Sequence, residues 1–163
     1  MKKRVDLPEK KYEGYIFDLD GTLVDSMPLH YRAWREALAR AGAPDHVFRA
    51  DEFYSCGGKS ANDVVRFLNE RYGMHMDAAS TAADKRRIYL EMLEKEGMQP
   101  IREVVEFVHS LGDAPKAIAT GSAMPGASRT LAAAGLSGLF DVILTPDEVE
   151  HGKPAPDMFL KAA

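Results

Sequence analysis

An α/β fold, an open parallel sheet carrying an all-helical insert, is what these 163 residues predict. Three short apolar runs, "YIFD" from Tyr15, "KAIAT" from Lys116 and "DVILT" from Asp141, end in small or polar residues, as buried parallel strands do. Helical patterns separate the later runs, and helix followed by strand, twice over, is the pattern of a parallel sheet with crossovers. From about 27 to 98 the pattern is helical throughout.

Taken in order, "MKKRVDLPEKK" is basic but precedes no apolar h-region, so it reads as a solvated N-terminus rather than a secretory signal. After the first strand, "LHYRAWREALARAG" spaces Trp34, Ala37, Leu38 and Ala41 as a helix does, with Trp34 as core. "KSANDVVRFLNERYG" opens on Ser60 with Asp63 three residues on, where a capping box would carry Glu. "DKRRIYLEMLEKEG" puts Ile88 and Met92 on one face and offers a Glu91–Lys95 pair. "IREVVEFVHSLG" aligns Val104, Val105, Val108 and Leu111 and stops at Gly112; "PGASRTLAAAGLSG" stops near Gly135. The expected division is a discontinuous α/β core, 1–26 with 99–163, and a helical cap, 27–98. Hinges are expected at Met27-Pro28 and from Gly97 to Pro100.

Hydrophobic residues at 45% and charged residues at 28% describe an ordinary soluble globular chain with room for one core. A net charge of -4 argues against a nucleic-acid partner, which calls for a basic surface. No apolar run reaches membrane-spanning length. The single Cys56 excludes an intramolecular disulfide and suits a reducing, cytoplasmic setting.

"YIFDLDGTLVDS", residues 15 to 26, sets Asp18 and Asp20 at the end of an apolar strand. Residues i and i+2 of an extended chain face one side, so the two carboxylates converge. Ligands of open parallel sheets bind beyond the carboxyl ends of the strands. Two like charges so close raise one pKa strongly unless a cation lies between them. A hard cation such as Mg2+ suits one or two carboxylates plus phosphate oxygens. The chemistry then divides between attack on phosphorus by one carboxylate and proton transfer by the other. An Asp-Gly turn with no further role is the competing reading of these residues alone. A calcium loop is excluded: counting from Asp18 puts Thr22 and Leu23 where that loop needs an oxygen ligand and then Gly.

The apolar strand ending D-x-D-G-T resembles the first motif of the haloacid dehalogenase-like hydrolases. "KAIATGS", with Thr120, resembles their second motif, and "HGKPAPD", with Lys153, their third as it occurs in the sugar-phosphate branch. The resemblance implies a Rossmann-like core with a helical cap. It implies Asp18 as nucleophile, Asp20 as acid/base, Thr120 as the hydroxyl at the phosphate, Lys153 as the cation that neutralises charge between nucleophile and phosphate, and Mg2+ held by Asp18 and Asp20. Leu19, Gly21, Thr22, Gly121 and Ser122 are the phosphate-binding positions so implied. A Thr hydroxyl followed by free amides near a helix start is suited to a phosphate; ordinary capping is the alternative.

"DSMPLHYRAW" is similar to the same segment of the β-phosphoglucomutase and sugar-phosphate phosphatase branch, which makes His30 a candidate contact to substrate or Asp20. "CGGKSANDV" resembles that branch's cap loop, with Lys59 as a phosphate or sugar contact. Ser60 falls where the mutase carries an arginine, and a serine cannot supply a bidentate fork to a second phosphate. The expectation is therefore a Mg2+-dependent phosphatase of a small sugar phosphate, similar to fructose-1-phosphate phosphatase-like members. A mutase, an inactive chain and a receiver-like signalling module are the alternatives. Receiver domains lack the long insert and carry their phosphorylated Asp after a later strand. The family's fourth motif, a strand ending in metal-binding acids, has no counterpart after "PDMFLKAA", and the acids of "TPDEVEHG" precede Lys153. The C-terminal part of the core is thus expected to be missing. That leaves an exposed apolar edge at "YIFD", weak Mg2+ binding and poor turnover in a monomer, unless a partner completes the core.

Overall fold

Short runs of strand formers bounded by turns give β1, Tyr15–Phe17, β2, Lys116–Ala119, and β3, Val142–Leu144, in the computed structural model, which describes residues 10–163. The leader through residue 9 lies outside the described residues. The strands pair in parallel in the order β1-β2-β3, with Ile16 opposite Ala117 and Ile118 opposite Ile143. The central strand has neighbours on both sides, and its Ile118 and Ala119 are fully buried. At the β1 edge, Tyr15 and Phe17 both set their rings edge-on against Phe107.

The described residues form seven α-helices: α1 Met27–Arg40, α2 Ala50–Ser55, α3 Ala61–Tyr72, α4 Ala78–Glu96, α5 Arg102–Ser110, α6 Met124–Ala133 and α7 Asp157–Ala162. The first four fill the segment read as helical, and no strand interrupts them among the described residues. Ser60 caps α3, its hydroxyl accepting the Asp63 N–H at 3.2 Å. Two elements differ from expectation. The short α2 carries too few apolar residues for a helical period to be visible. The α4 helix begins at Ala78 rather than near Asp84, because Asp77 accepts the Ser80 N–H at 2.7 Å and caps an alanine-rich first turn. Glu91 pairs with Arg87 at 2.8 Å, one turn before it, rather than with Lys95.

Two apolar clusters hold the chain together. One joins Phe17, Leu23, Ile118 and Leu131 around the sheet to Ala33 of α1 and Ile88 of α4. The other, around Trp34, Phe48, Phe53 and Leu68, lies wholly within the helical segment. Helices α1 and α4 pack on each other and face both clusters, so the helical segment is not packed independently of the sheet. Full burial of Leu19, Leu23 and Val24 just after β1 contributes roughly 1.5–3 kcal/mol each, as an upper estimate. The two chain crossings between sheet and helices brace each other. The Asp25 N–H donates to the Gln99 carbonyl at 3.0 Å, and the Ile101 N–H donates to the Leu23 carbonyl at 2.8 Å. No helix among the described residues is long and apolar enough to cross a membrane.

Candidate active site

The strand ends converge on a cavity of about 220 Å³ between the sheet and the helical segment, lined by Asp18, Asp20, His30, Lys59, Gly121 and Ser122 among others. Asp18 follows β1 directly. Its Oδ1 accepts the Leu19 N–H at 2.8 Å and stands 3.1 Å from Lys153 Nζ, with about a third of the side chain exposed. Lys153 also donates to the Ala119 carbonyl at 2.8 Å, which ties its ammonium to the end of β2. An accessible carboxylate beside a fixed cation can approach an electrophile that itself carries negative charge.

Asp20 is placed differently. Ser26 Oγ donates to its Oδ1 at 2.6 Å, and Ser122 Oγ donates to its Oδ2 at 2.7 Å. His30 Nε2 lies 2.9 Å from the same Oδ1. Burial alone would raise the Asp20 carboxyl; His30, Ser26 and Ser122 outweigh it and hold the group well below the usual carboxylate range. Burial pushes the His30 imidazole down, the Lys85 ammonium pushes it the same way, and Asp20 pulls it back up without reversing the outcome. A neutral ring then donates Nε2–H to Asp20 and accepts at Nδ1 from Lys85 Nζ, 2.7 Å away. With the imidazole uncharged, the three hydrogen bonds carry the stabilisation of the Asp20 carboxylate. So held, Asp20 is kept in its ionised form, and any proton it takes up has to compete with these three donors.

Lys85 reaches the cavity from α4, with its ammonium 5.5 Å from the Trp34 ring and 5.3 Å from the Tyr89 ring. Burial lowers its pKa from 10.5 to about 8; Asp20 opposes that shift and Arg86 adds to it. Above about pH 8, and up to its ordinary value, the unfolded chain keeps a proton that folded Lys85 has lost. Stability contributed by this site therefore rises with pH across that window. Lys85→Met should abolish the rise. Its stability relative to wild type should be greatest near pH 7 and decline toward about pH 10 in urea unfolding. A stability difference that stays flat over that range would show that the charge is not desolvated.

The remaining expected positions divide. Thr120 is fully buried beneath the cavity, its Oγ1 accepting the Ser122 N–H at 3.1 Å. That bond occupies an amide expected to be free for phosphate. Leu19, Gly21 and Thr22 do not reach the cavity wall. Their amides close the turn after β1: Leu19 to Asp18, Gly21 to Val24 and Thr22 to Leu19. Lys59 lines the cavity with its Nζ over the Phe67 ring at 4.7 Å. The cap loop presses onto the core here. A Cβ at Gly121 would fall 2.6 Å from the Gly58 carbonyl oxygen and 3.2 Å from that of Lys59. Only glycine admits that approach.

Two hard oxygens remain for a cation: the Asp18 carboxylate, and the Asp20 carbonyl, to which no backbone N–H donates among the described residues. The Asp20 carboxylate is already occupied by its three donors. No cluster of three or more His, Cys, Asp or Glu capable of holding a metal occurs among the described residues. This donor set fits Mg2+, which keeps most of its shell as water and substrate phosphate. Asp147, read as lying on the wrong side of Lys153, does line the cavity but joins no such cluster.

A family model for haloacid dehalogenase-like hydrolases matches residues 12–163. The chain belongs to the haloacid dehalogenase-like hydrolases. It is 34% identical to a fructose-1-phosphate phosphatase of Escherichia coli, over 94% of this chain and 80% of that protein. It is 31% identical to a β-phosphoglucomutase of Mycobacterium bovis, over 96% of this chain and 70% of that one. A solved hydrolase from Pseudomonas syringae superposes with a TM-score of 0.80 at 31% identity, covering 92% of this chain and 68% of its own. In this hydrolase the residues that sequence reasoning missed are Ser26, Lys85 and Tyr89. One signal was available for Lys85. It falls in register with Ala82, Tyr89 and Leu93 on the buried stripe of α4, where a cation is out of place.

Proposed function

We propose that this hydrolase cleaves the phosphomonoester of a small sugar phosphate, through a phosphoryl intermediate on Asp18 and with Mg2+ bound. One observation carries the reading: an accessible carboxylate beside a fixed ammonium shares a cavity with a second carboxylate that is buried and oriented by three donors. An Asp18 oxygen attacks phosphorus, the P–O bond to the sugar breaks, and the leaving oxygen takes its proton from Asp20. Asp20 carries that proton only once bound substrate draws it away from the donors that keep it ionised in the free site. Water then attacks phosphorus, gives its proton to Asp20, and frees Asp18 with inorganic phosphate. Lys153 offsets charge between Asp18 and the phosphoryl group. A Mg2+ at Asp18 and the Asp20 carbonyl would supply further charge neutralisation at the phosphate.

Residues 27–98 serve in this reading as a cap over the 1–26 and 99–163 core, pivoting at the braced crossings and excluding water when closed. The cavity volume suits a small substrate. The buried, unpaired Cys56 fits a reducing cytoplasm. Gly121→Ala should then hold the cap loop off the core and lower kcat/KM on the order of 10²-fold with helical content unchanged. Wild-type kinetics in that variant would mean the loop need not seat there.

A mutase remains the second reading, because Arg86 lines the cavity without an acidic partner among the described residues. The guanidinium fork that Ser60 lacks could come from α4. The deciding assay measures phosphate release from a panel of sugar phosphates, with and without Mg2+. Hexose 1-phosphate isomerisation is followed alongside, in the presence of a bisphosphate. Phosphate release dependent on Mg2+ supports the hydrolase; isomerisation without release replaces it with the mutase.

A further inference from the structure

Tyr89 is 3% exposed on α4, one turn beyond Lys85. Its ring lies flat on the His30 imidazole, with centroids 4.0 Å apart and planes 9° from parallel. On its other side the hydroxyl is 2.8 Å from Thr130 Oγ1, a buried hydrogen bond from the helical segment to α6 of the core. The same ring stands 5.3 Å from the Lys85 ammonium. One side chain thus touches both partners of the relay that ends on Asp20 and is anchored to an element beyond the cap.

The His30 ring has to meet two conditions at once. Its Nε2–H must lie in plane with Asp20, and its Nδ1 lone pair must lie in plane with Lys85. Imidazole χ2 is a broad torsion, so neither bond alone sets the ring plane. A stacked aromatic fixes that plane without competing for either nitrogen. We propose that Tyr89 is the positioning residue for His30: its stack sets the ring that orients the Asp20 carboxylate, and its bond to Thr130 makes that orientation depend on the cap being docked on α6. The kinetic part of this inference rests on the reading of Asp20 as the acid/base; the spectroscopic part does not.

The test uses Tyr89→Phe, Tyr89→Met and Thr130→Val. Tyr89→Phe keeps the stack and loses the tie to Thr130; Tyr89→Met keeps the volume and loses the aromatic plane. The His30 ring nitrogens are read by NMR at neutral pH. Wild type and Tyr89→Phe should show a single Nε2–H tautomer, and Tyr89→Met an averaged one. The same His30 signal in Tyr89→Met as in wild type overturns the proposal, whatever the kinetics. In turnover, Tyr89→Met should lose kcat on the order of tenfold to a hundredfold, with KM within about threefold. Tyr89→Phe and Thr130→Val should each lose only about threefold, and no more when combined, since they remove the same bond. On an Asp20→Asn background the Tyr89→Met loss should vanish; a loss that persists there marks general packing damage and overturns the proposal. If Asp20→Asn alone leaves turnover intact, the acid/base reading fails and the tautomer result still decides the role of Tyr89. If Tyr89→Met does not fold, the Thr130→Val and Tyr89→Phe pair decides, additive losses counting against it.

Discussion

Asp18→Asn should reduce phosphate release by on the order of 10⁴-fold or more while leaving the fold in place. The carboxamide is nearly isosteric, and its oxygen can still accept from the Leu19 N–H and Lys153 Nζ, now 2.8 and 3.1 Å from the carboxylate. What it loses is the charge that attacks phosphorus. Part of the Asp18 side chain is open to solvent, so losing the ion pair with Lys153 should change stability by no more than about 1 kcal/mol. Turnover of a sugar phosphate and the urea midpoint are measured on the same preparation. Turnover at the wild-type rate would sink the mechanism, since among the described residues the carboxylate paired with Lys153 is that of Asp18.

Asp20→Asn should lower kcat by about 10²–10⁴-fold with KM little changed. The local structure can accept the change. The amide oxygen takes the place of Oδ1 as acceptor for Ser26 and His30, and the amide nitrogen can donate to a Ser122 hydroxyl that turns to accept. The variant still carries the Asp18 nucleophile but lacks the group that gives a proton to the leaving oxygen and takes one from water. With a substrate whose leaving group needs no proton, such as an aryl phosphate, the first step should survive better than the second. A phosphoryl adduct on Asp18 should then be visible in the intact mass. Full activity, or a lost fold in place of a lost rate, would remove Asp20 from the proton transfer.

The parts of the site that could be read from the sequence are those written locally. Asp18 and Lys153 follow from short signals at and beyond strand ends, and the structure sets them 3.1 Å apart. Ser122 was legible as a neighbour of Thr120 but not in its contact. Its hydroxyl meets Asp20 across 102 residues of chain. Ser26 reads as an ordinary residue before a helix, and its hydroxyl makes no capping bond because Asp20 takes it. The short α2 carried no usable period, and the alanines that open α4 have no apolar contrast to mark a face.

The parallel sheet, the helices other than α2 and the start of α4, and the strand-end acids are properties of sequence alone, since backbone periodicity and turn chemistry act over a few residues. The state of those acids is a property of the tertiary structure. A carboxylate's charge depends on which donors surround it and how much water they displace, and for Asp20 those donors come from α1, from the residue that precedes it and from the loop after β2. Lys85 and Tyr89 join them only because α1 packs on α4 and α4 on α6. No run of residues records that packing, because it is decided by the burial of side chains far apart in the chain.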